Sequence, residues 1–430
     1  MKKLAILLLL FFPFFTSAQN GDDYFKPDYL RFEDHTYVDY VKTALLENEG
    51  QAMSNPIISL NGTDKLRLQF DILDPEIMDV SYRIIHCDPD WKASVLSESD
   101  FIEGFYSDHI TDYKHSMNTI QEYWHYELLF PNQQMKPVLS GNYLLIVFKS
   151  ENTDSILLTR RFYVTEQLVE IQSNIHRATI IEYRNSHQEV DFKVSLKNLP
   201  VLNPYADIRV VITQNSDKNF CIKNLKPVFA ANGELDYNYE EGNIFEGGNE
   251  FRNFDLRTTR FLTQYIEKFV PDSIGNGLTA VLKPDLRLST QRYSSNSDLN
   301  GKFLNKIYDG REAALEGDYI KVNFRLKAPV DFTDNTIYLS GQFTDNALIQ
   351  ENRMIFNSNS GYFEKSYYLK QGYYDYRYIG VDKSEKVTLL ETEGSHYETL
   401  NTYEFLVYWR APGSRYDRLI GYKKTDAGGF

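Results

Sequence analysis

The chain has 430 residues, and its 60 acidic against 46 basic side chains leave a formal net charge of −14, a balance that repels phosphate backbones and anionic lipid surfaces and argues against nucleic acid as a partner. Two cysteines, Cys87 and Cys221, are too few and too far apart for a stapled disulfide framework; they read either as buried thiols or as one bridge between domains, and the spacing leaves both open. Aromatic content of 15%, carried by 32 Tyr and 28 Phe, favours pleated, half-buried surfaces and hence β structure.

The chain opens MKKLAILLLLFFPFFTSAQ, with two lysines, an apolar run from Leu4 to Phe15 and small residues before Gln19. This is the layout of a cleavable secretory signal, with cleavage expected between Ala18 and Gln19. The run is too short for a membrane helix, which takes about twenty residues, and no later apolar run is long enough. The remainder is long enough for two to four domains at about 100 to 200 residues each.

Strict alternation in Lys65-Leu-Arg-Leu-Gln-Phe-Asp-Ile72 predicts a half-buried strand with Leu66, Leu68, Phe70 and Ile72 inward. Ser140 to Phe148 and Ile156 to Val164, joined by a polar turn, form a hairpin that closes a first unit near Thr165. Asp191 to Leu196 and Asp207 to Thr213 are strands of a second unit that starts near Val169. Thr258 to Val270 carries Phe261, Leu262, Tyr265, Ile266, Phe269 and Val270 at helical spacing, although a twisted strand pair gives the same pattern. A polar loop, Arg292 to Gly301, precedes a third series that includes Tyr319 to Leu326 and runs to the C-terminus. Turn signals such as Asn61-Gly62, Asn232-Gly233 and Ser360-Gly361 punctuate the strands. The expected fold is mainly β, a tandem of immunoglobulin-like, early-set β-sandwiches with few helices. The expected division is a signal at 1–18, an N-terminal sandwich at 19–165, a middle β-rich domain at 166–310 and a C-terminal domain at 311–430.

Catalytic signatures do not emerge. The eight histidines include no pair at a zinc-ligand spacing such as H-x-x-x-H. Asp88-Pro-Asp-Trp91 lacks the glycine and the closing glutamate of a calcium loop. There is no Gly-x-Ser-x-Gly elbow and no phosphate-binding glycine loop; Glu246-Gly-Gly-Asn-Glu250 has adjacent glycines without a following lysine. No enzyme activity, cofactor, metal or small-molecule substrate is expected.

In the third series, Ile337-Tyr-Leu-Ser-Gly-Gln-Phe343 followed by Leu369-Lys-Gln-Gly-Tyr-Tyr-Asp-Tyr-Arg-Tyr-Ile379 is similar to early-set immunoglobulin modules related to glycogen-binding domains. Those modules stack sugar on tryptophan, and here Gln342-Phe-Thr-Asp-Asn346 has none. Strand alternation puts Tyr374, Tyr376 and Tyr378 on a core face and Tyr373, Asp375 and Arg377 on a presentable one, with Asp375 and Arg377 close enough to pair.

Across almost the whole chain, the segments Asp90-Trp91, Tyr123-Trp-His-Tyr126, Ser140-Gly-Asn-Tyr143, Arg160-Arg-Phe162, Gly247-Gly-Asn-Glu-Phe-Arg252, Glu393-Gly394 and Arg415-Tyr-Asp-Arg-Leu-Ile-Gly421 resemble the plug protein family of the Bacteroidota type IX secretion system. The resemblance implies a non-enzymatic periplasmic protein, without a membrane span of its own. It would close the periplasmic opening of the giant outer-membrane translocon barrel when no substrate is in transit, as a monomer within that complex. Phe251, Arg252, Arg415 and Tyr416, from two of these segments, join Tyr373, Asp375 and Arg377 as candidate partner contacts. The competing expectations are a periplasmic glycan-binding sandwich protein and a cargo adaptor or chaperone of the same system.

Overall fold

The computed structural model describes residues 29–197, 199–271, 277–310, 312–327 and 335–427; the expected signal and its Ala18–Gln19 cleavage point lie outside them. The fold is mainly β, and helix among the described residues is confined to short segments such as Glu98–Phe101, Pro204–Asp207 and Ala313–Glu316. The strands assemble into three sandwiches, each closing on its own hydrophobic core.

The first sandwich packs a sheet ordered His35–Thr36, Asn152–Thr165, Gly141–Lys149, Val80–Cys87, Asp108–His109 on a second ordered Val41–Asn48, Leu66–Ile72, Trp124–Phe130, Asp112–His115. The expected hairpin is the antiparallel pairing of Gly141–Lys149 with Asn152–Thr165. Leu66, Leu68, Phe70 and Ile72 are fully buried, as their alternation predicts. Asp71, from the opposite row of that strand, is buried too, because the outer face of its sheet is covered by the third sandwich. A bulge between Lys42 and Leu45 belongs to the same seam: Leu45, on a strand of the first sandwich, packs into the core of the third.

The other two sandwiches do not follow one another along the chain. The middle one pairs Ile208–Gln214 with Asp217–Lys223 on one side and with Thr402–Trp409 on the other, and Arg418–Asp426 completes that sheet. Its facing sheet is built on Glu170–Arg177 and His187–Ser195. The third sandwich takes Arg252–Asp255 and Phe303–Asn305 against Gly372–Val381, and Ile266–Pro271 and Leu278–Leu282 beside Tyr319–Lys327. The expected cut at 310/311 therefore runs through three sheets and is corrected: the third sandwich is inserted into the middle one. A linear reading misses this because edge pairing between Ile208–Gln214 and Thr402–Trp409 is set by complementary rows far apart in sequence. Thr258–Val270 is also not a helix; turns at 257–265 lead into the strand Ile266–Pro271, paired with Leu278–Leu282.

The two passages between these sandwiches run side by side. His396 N–H donates to Gly248 O at 2.9 Å, Asn401 Nδ2 to Gly247 O at 2.7 Å, and Thr399 Oγ1 to Gly248 O at 2.9 Å. The Gly247-Gly248 pair is thus a crossing point and not a phosphate loop. A Cβ at Gly247 would lie 2.0 Å from His396 O, backbone against backbone.

Each pair of sandwiches is clamped by a buried or half-buried ion pair. Lys370 Nζ meets Asp71 Oδ2 at 2.7 Å, joining third to first, with both side chains 1% exposed. Asp71 also accepts from Tyr319 OH at 2.6 Å and contacts His125 Nδ1 at 2.7 Å. Burial alone would raise the Asp71 carboxyl, but the Lys370 charge and the His125 contact hold it below its ordinary value. Arg377 meets Asp217 at 2.7 Å, joining third to middle, and Arg418 meets Glu166 at the seam of first and middle.

Two outcomes follow for urea unfolding of the intact protein. Gly247→Ala should lower stability by about 2 kcal/mol or more, since the backbones must separate; an unchanged midpoint would contradict the close crossing. Lys370→Met should cost about 3 to 5 kcal/mol by stranding the buried Asp71 charge, and adding Asp71→Asn should recover most of it. A double variant no better than the single one would show that the pair is not coupled.

Candidate interaction surface

Gly372–Val381 is the strand on which the candidate contacts were expected. One row, Tyr374, Tyr376 and Tyr378, is buried. Tyr374 stacks between Phe254 at 5.2 Å and Phe303 at 5.1 Å, and the hydroxyls of Tyr376 and Tyr378 donate to Asp285 Oδ2 at 2.8 and 2.7 Å. This satisfies the polar ends of rings that otherwise fill the core.

The opposite row departs from expectation. Asp375 is 0% and Arg377 3% exposed, and they do not pair with each other. Asp375 Oδ2 accepts the backbone N–H groups of Leu299 and Gly301. Arg377 pairs with Asp217 while its guanidinium lies between the rings of Phe220, at 4.3 Å, and Phe251, at 4.7 Å. Phe251 is itself buried. Arg252 is held by Glu393 at 2.9 Å and Asp285 at 3.1 Å, over the ring of Tyr378 at 5.2 Å. Phe251, Arg252, Asp375 and Arg377 are therefore corrected from partner contacts to internal fastenings. The presentable face of this strand is covered by the middle sandwich and by the 292–301 loop, which alternation within one strand does not register.

Arg415 and Tyr416 lie on the seam between middle and first sandwiches. Arg415 is largely exposed and pairs with Asp100 at 3.1 Å, and the half-buried Tyr416 sets its ring edge-on to His86 at 5.6 Å. Tyr373 is half-buried, with Arg257 5.7 Å above its ring. Arg257 also lies 4.6 Å above Tyr308, which stacks on Phe261 at 6.4 Å. Phe261, Leu262, Tyr265 and Tyr308 are all exposed. Tyr373 thus borders an aromatic and arginine patch on the third sandwich, of the composition that concentrates energy at interfaces. Sequence reasoning assigned Phe261, Leu262 and Tyr265 to one face of an amphipathic element. The contrary signal was Asp255 two residues before Arg257, whose side chain accepts the Arg257 N–H at 3.0 Å and turns the chain outward.

Other chemistry is weak by comparison. Cys87 and Cys221 are free thiols, and burial pushes the Cys87 thiol up to about 12. A cavity of about 440 Å³ lies where the three sandwiches meet. Several cations on its wall are engaged: Arg160 by Ala44 O and Asp345, Arg161 by Phe32 O, Lys218 by Glu33, and Lys302 by Met53 O and Asn55 Oδ1. The 342–346 loop, where sugar-binding modules would present aromatic rings, is packed inward. Asp345 meets Arg160 at 3.3 Å, Asn346 O accepts from Asn219 at 2.7 Å, and Phe343 stacks on Phe324 at 5.9 Å. No helix among the described residues is long and apolar enough to cross a membrane, which says nothing of β-barrels.

Asp375 yields a pH test. Its carboxyl is pushed up to about 8, by burial first and by Asp298 second, against the two N–H donors. The folded state holds a proton that the unfolded chain releases near pH 4, so stability should decline as pH rises from about 4 to 8. Asp375→Asn removes that decline: its advantage over the parent in unfolding free energy should grow by about 2 to 4 kcal/mol between pH 5 and pH 8. An equal difference at both pH values would mean that the carboxyl is ionised throughout.

Comparison with known proteins bears on what such a surface serves. A family model described as the type 9 secretion system plug protein 1st domain matches residues 41–166, the core of the first sandwich. The crystal structure of a hypothetical protein from Parabacteroides merdae ATCC 43184 matches with a TM-score of 0.89 at 30% identity, over 93% of this chain and 100% of that one. No curated protein matches the chain. The chain belongs to the type 9 secretion system plug protein family, and its role lies in type IX secretion.

Proposed function

We propose that the protein is a non-enzymatic periplasmic plug that occludes the periplasmic opening of the type IX translocon barrel when no substrate is in transit. The observation that carries this reading is mechanical. Three sandwiches in a chain of this family are locked into one body by the Asp71–Lys370, Asp217–Arg377 and Glu166–Arg418 pairs. A stopper must resist deformation, and compact packing of about 400 residues implies a radius of gyration of about 21 Å. Large barrels enclose an aqueous, polar lumen, so reversible seating calls for a polar surface with a few aromatic and arginine anchors. The Arg257, Phe261, Tyr308 and Tyr373 patch is such an anchor. The leader sequence ahead of Gln19 accords with export to the periplasm. The protein acts as one copy within the complex, and neither nucleic acid nor a small-molecule substrate enters this reading.

The test has two arms. The wild-type protein should co-purify with the barrel from a strain arrested without cargo, which a cargo adaptor would not do, and its deletion should sensitise cells to vancomycin while the barrel remains present. Phe261→Ser with Tyr308→Ser should leave the melting temperature of the isolated protein within about 2 °C, because both side chains are exposed. It should reduce recovery with the barrel at least ten-fold. Parental vancomycin resistance in the deletion strain would defeat the plug reading, whereas unchanged recovery of the double variant would remove only the patch.

A further inference from the structure

His176, Glu189 and Asp191 converge on the outer sheet of the middle sandwich, remote from the patch described above. His176 lies on the strand Glu170–Arg177 directly opposite Glu189 on His187–Ser195, and Asp191, two residues further on, projects from the same face. Their ligating atoms, one per residue, all lie within 4.8 Å of one another. His176 Nε2 is 2.9 Å from Asp191 Oδ2 and 3.9 Å from Glu189 Oε1.

What distinguishes this group from an ordinary surface ion pair is how each side chain is held from behind. The other ring nitrogen, Nδ1, is 2.8 Å from Arg177 O and donates to it, which leaves Nε2 directed at the carboxylates. Asp191 Oδ1 accepts from Asn243 Nδ2 at 2.9 Å, and Asn243 is fully buried. Glu189 Oε2 accepts the Thr179 N–H at 2.7 Å. The Glu189 side chain is only 3% exposed, yet its Oε1 faces Nε2 at 3.9 Å, beyond hydrogen-bond reach. Each residue thus spends one polar atom on a fixed protein partner and turns the other toward a common point, the arrangement by which outer hydrogen bonds orient metal ligands.

We propose that His176, Glu189 and Asp191 form a divalent transition-metal site, with zinc as the ion that fits best. One imidazole and two carboxylates are a nitrogen and oxygen set that suits zinc or manganese, and affinity order favours zinc. Tetrahedral zinc with ligand bonds of about 2.0 to 2.1 Å places its ligands about 3.3 Å apart. The two His176 contacts, 2.9 and 3.9 Å, bracket that spacing, and all three ligating atoms already lie within 4.8 Å of one another, so side-chain adjustment closes the set on an ion. His176 is about one-third exposed, which leaves a fourth position open to water. The ion would cross-link the two strands at the mouth of the 178–186 loop. This inference does not depend on the plug reading. The competing interpretation is a closed imidazolium–carboxylate pair with no affinity for metal.

The experiment uses the full-length protein stripped with chelator. Calorimetric titration with zinc sulfate should show one equivalent bound, and His176→Gln and Asp191→Asn should each weaken it at least ten-fold. No binding by the wild type, or equal binding by both variants, would overturn the site. Should a variant not fold, zinc absorption-edge spectroscopy on the wild type decides. One imidazole nitrogen among oxygen ligands is the expected shell, whereas a sulfur shell would put the ion at Cys87 or Cys221 and overturn the proposal.

Discussion

The architecture depends on a charge that has nowhere else to go. Asp71 sits at the seam of first and third sandwiches with Lys370, Tyr319 and His125 all around its two oxygens. Separating the sandwiches without solvating it would leave a carboxylate in an apolar seam, which costs several kcal/mol. A buried pair of this kind adds little net stability over an apolar one. It does constrain the docking geometry, because Lys370, Tyr319 and His125 must all reach one carboxylate and sliding the sandwiches leaves that charge unmatched. The Lys370 ammonium also lies 4.2 Å over the ring of Tyr123, whose hydroxyl donates to Gly317 O at 3.0 Å, so the same seam is braced from both sides.

The insertion of the third sandwich into the middle one has the same mechanical sense. A domain at the end of a chain can swing about one linker, whereas one entered and left through paired strands of its neighbour has two tethers. Here those tethers touch at Gly247 and His396 and are bridged by Asn401 and Thr399. Arg377 between two phenylalanine rings and paired with Asp217 fastens the far side. Strand pairing, a backbone crossing and a sandwiched guanidinium thus all restrain the same hinge.

Rows of alternating residues are legible because a strand with one face on an apolar core alternates apolar with polar residues, whether its other face meets water or the charges of another sandwich. The inward rows Leu66 to Ile72 and Tyr374 to Tyr378 follow from that alternation. The same logic misplaced Asp375, Arg377, Phe251 and Arg252, since a polar row is compatible with water and equally with charged partners on another sandwich. Phe261, Leu262 and Tyr265 failed in the other direction: apolar residues at helical spacing were assigned to an amphipathic element, yet an Asp255 side-chain turn carries them onto the surface.

The sequence by itself determined the β class, the strand faces and, through scattered segments, the family resemblance, because these depend on local alternation, turn chemistry and residue identity. Tertiary structure alone decided which strands distant in sequence share a sheet, that the C-terminal strands belong to the middle sandwich, and which charged residues are fasteners and which are surface. It also brought His176, Glu189 and Asp191 to one point across two strands. Those outcomes arise from contacts between distant segments, as in the pairing of Ile208–Gln214 with Thr402–Trp409 and of Asp71 with Lys370, 299 residues further on. Local periodicity carries no record of which distant edge will satisfy a given row of backbone donors and acceptors.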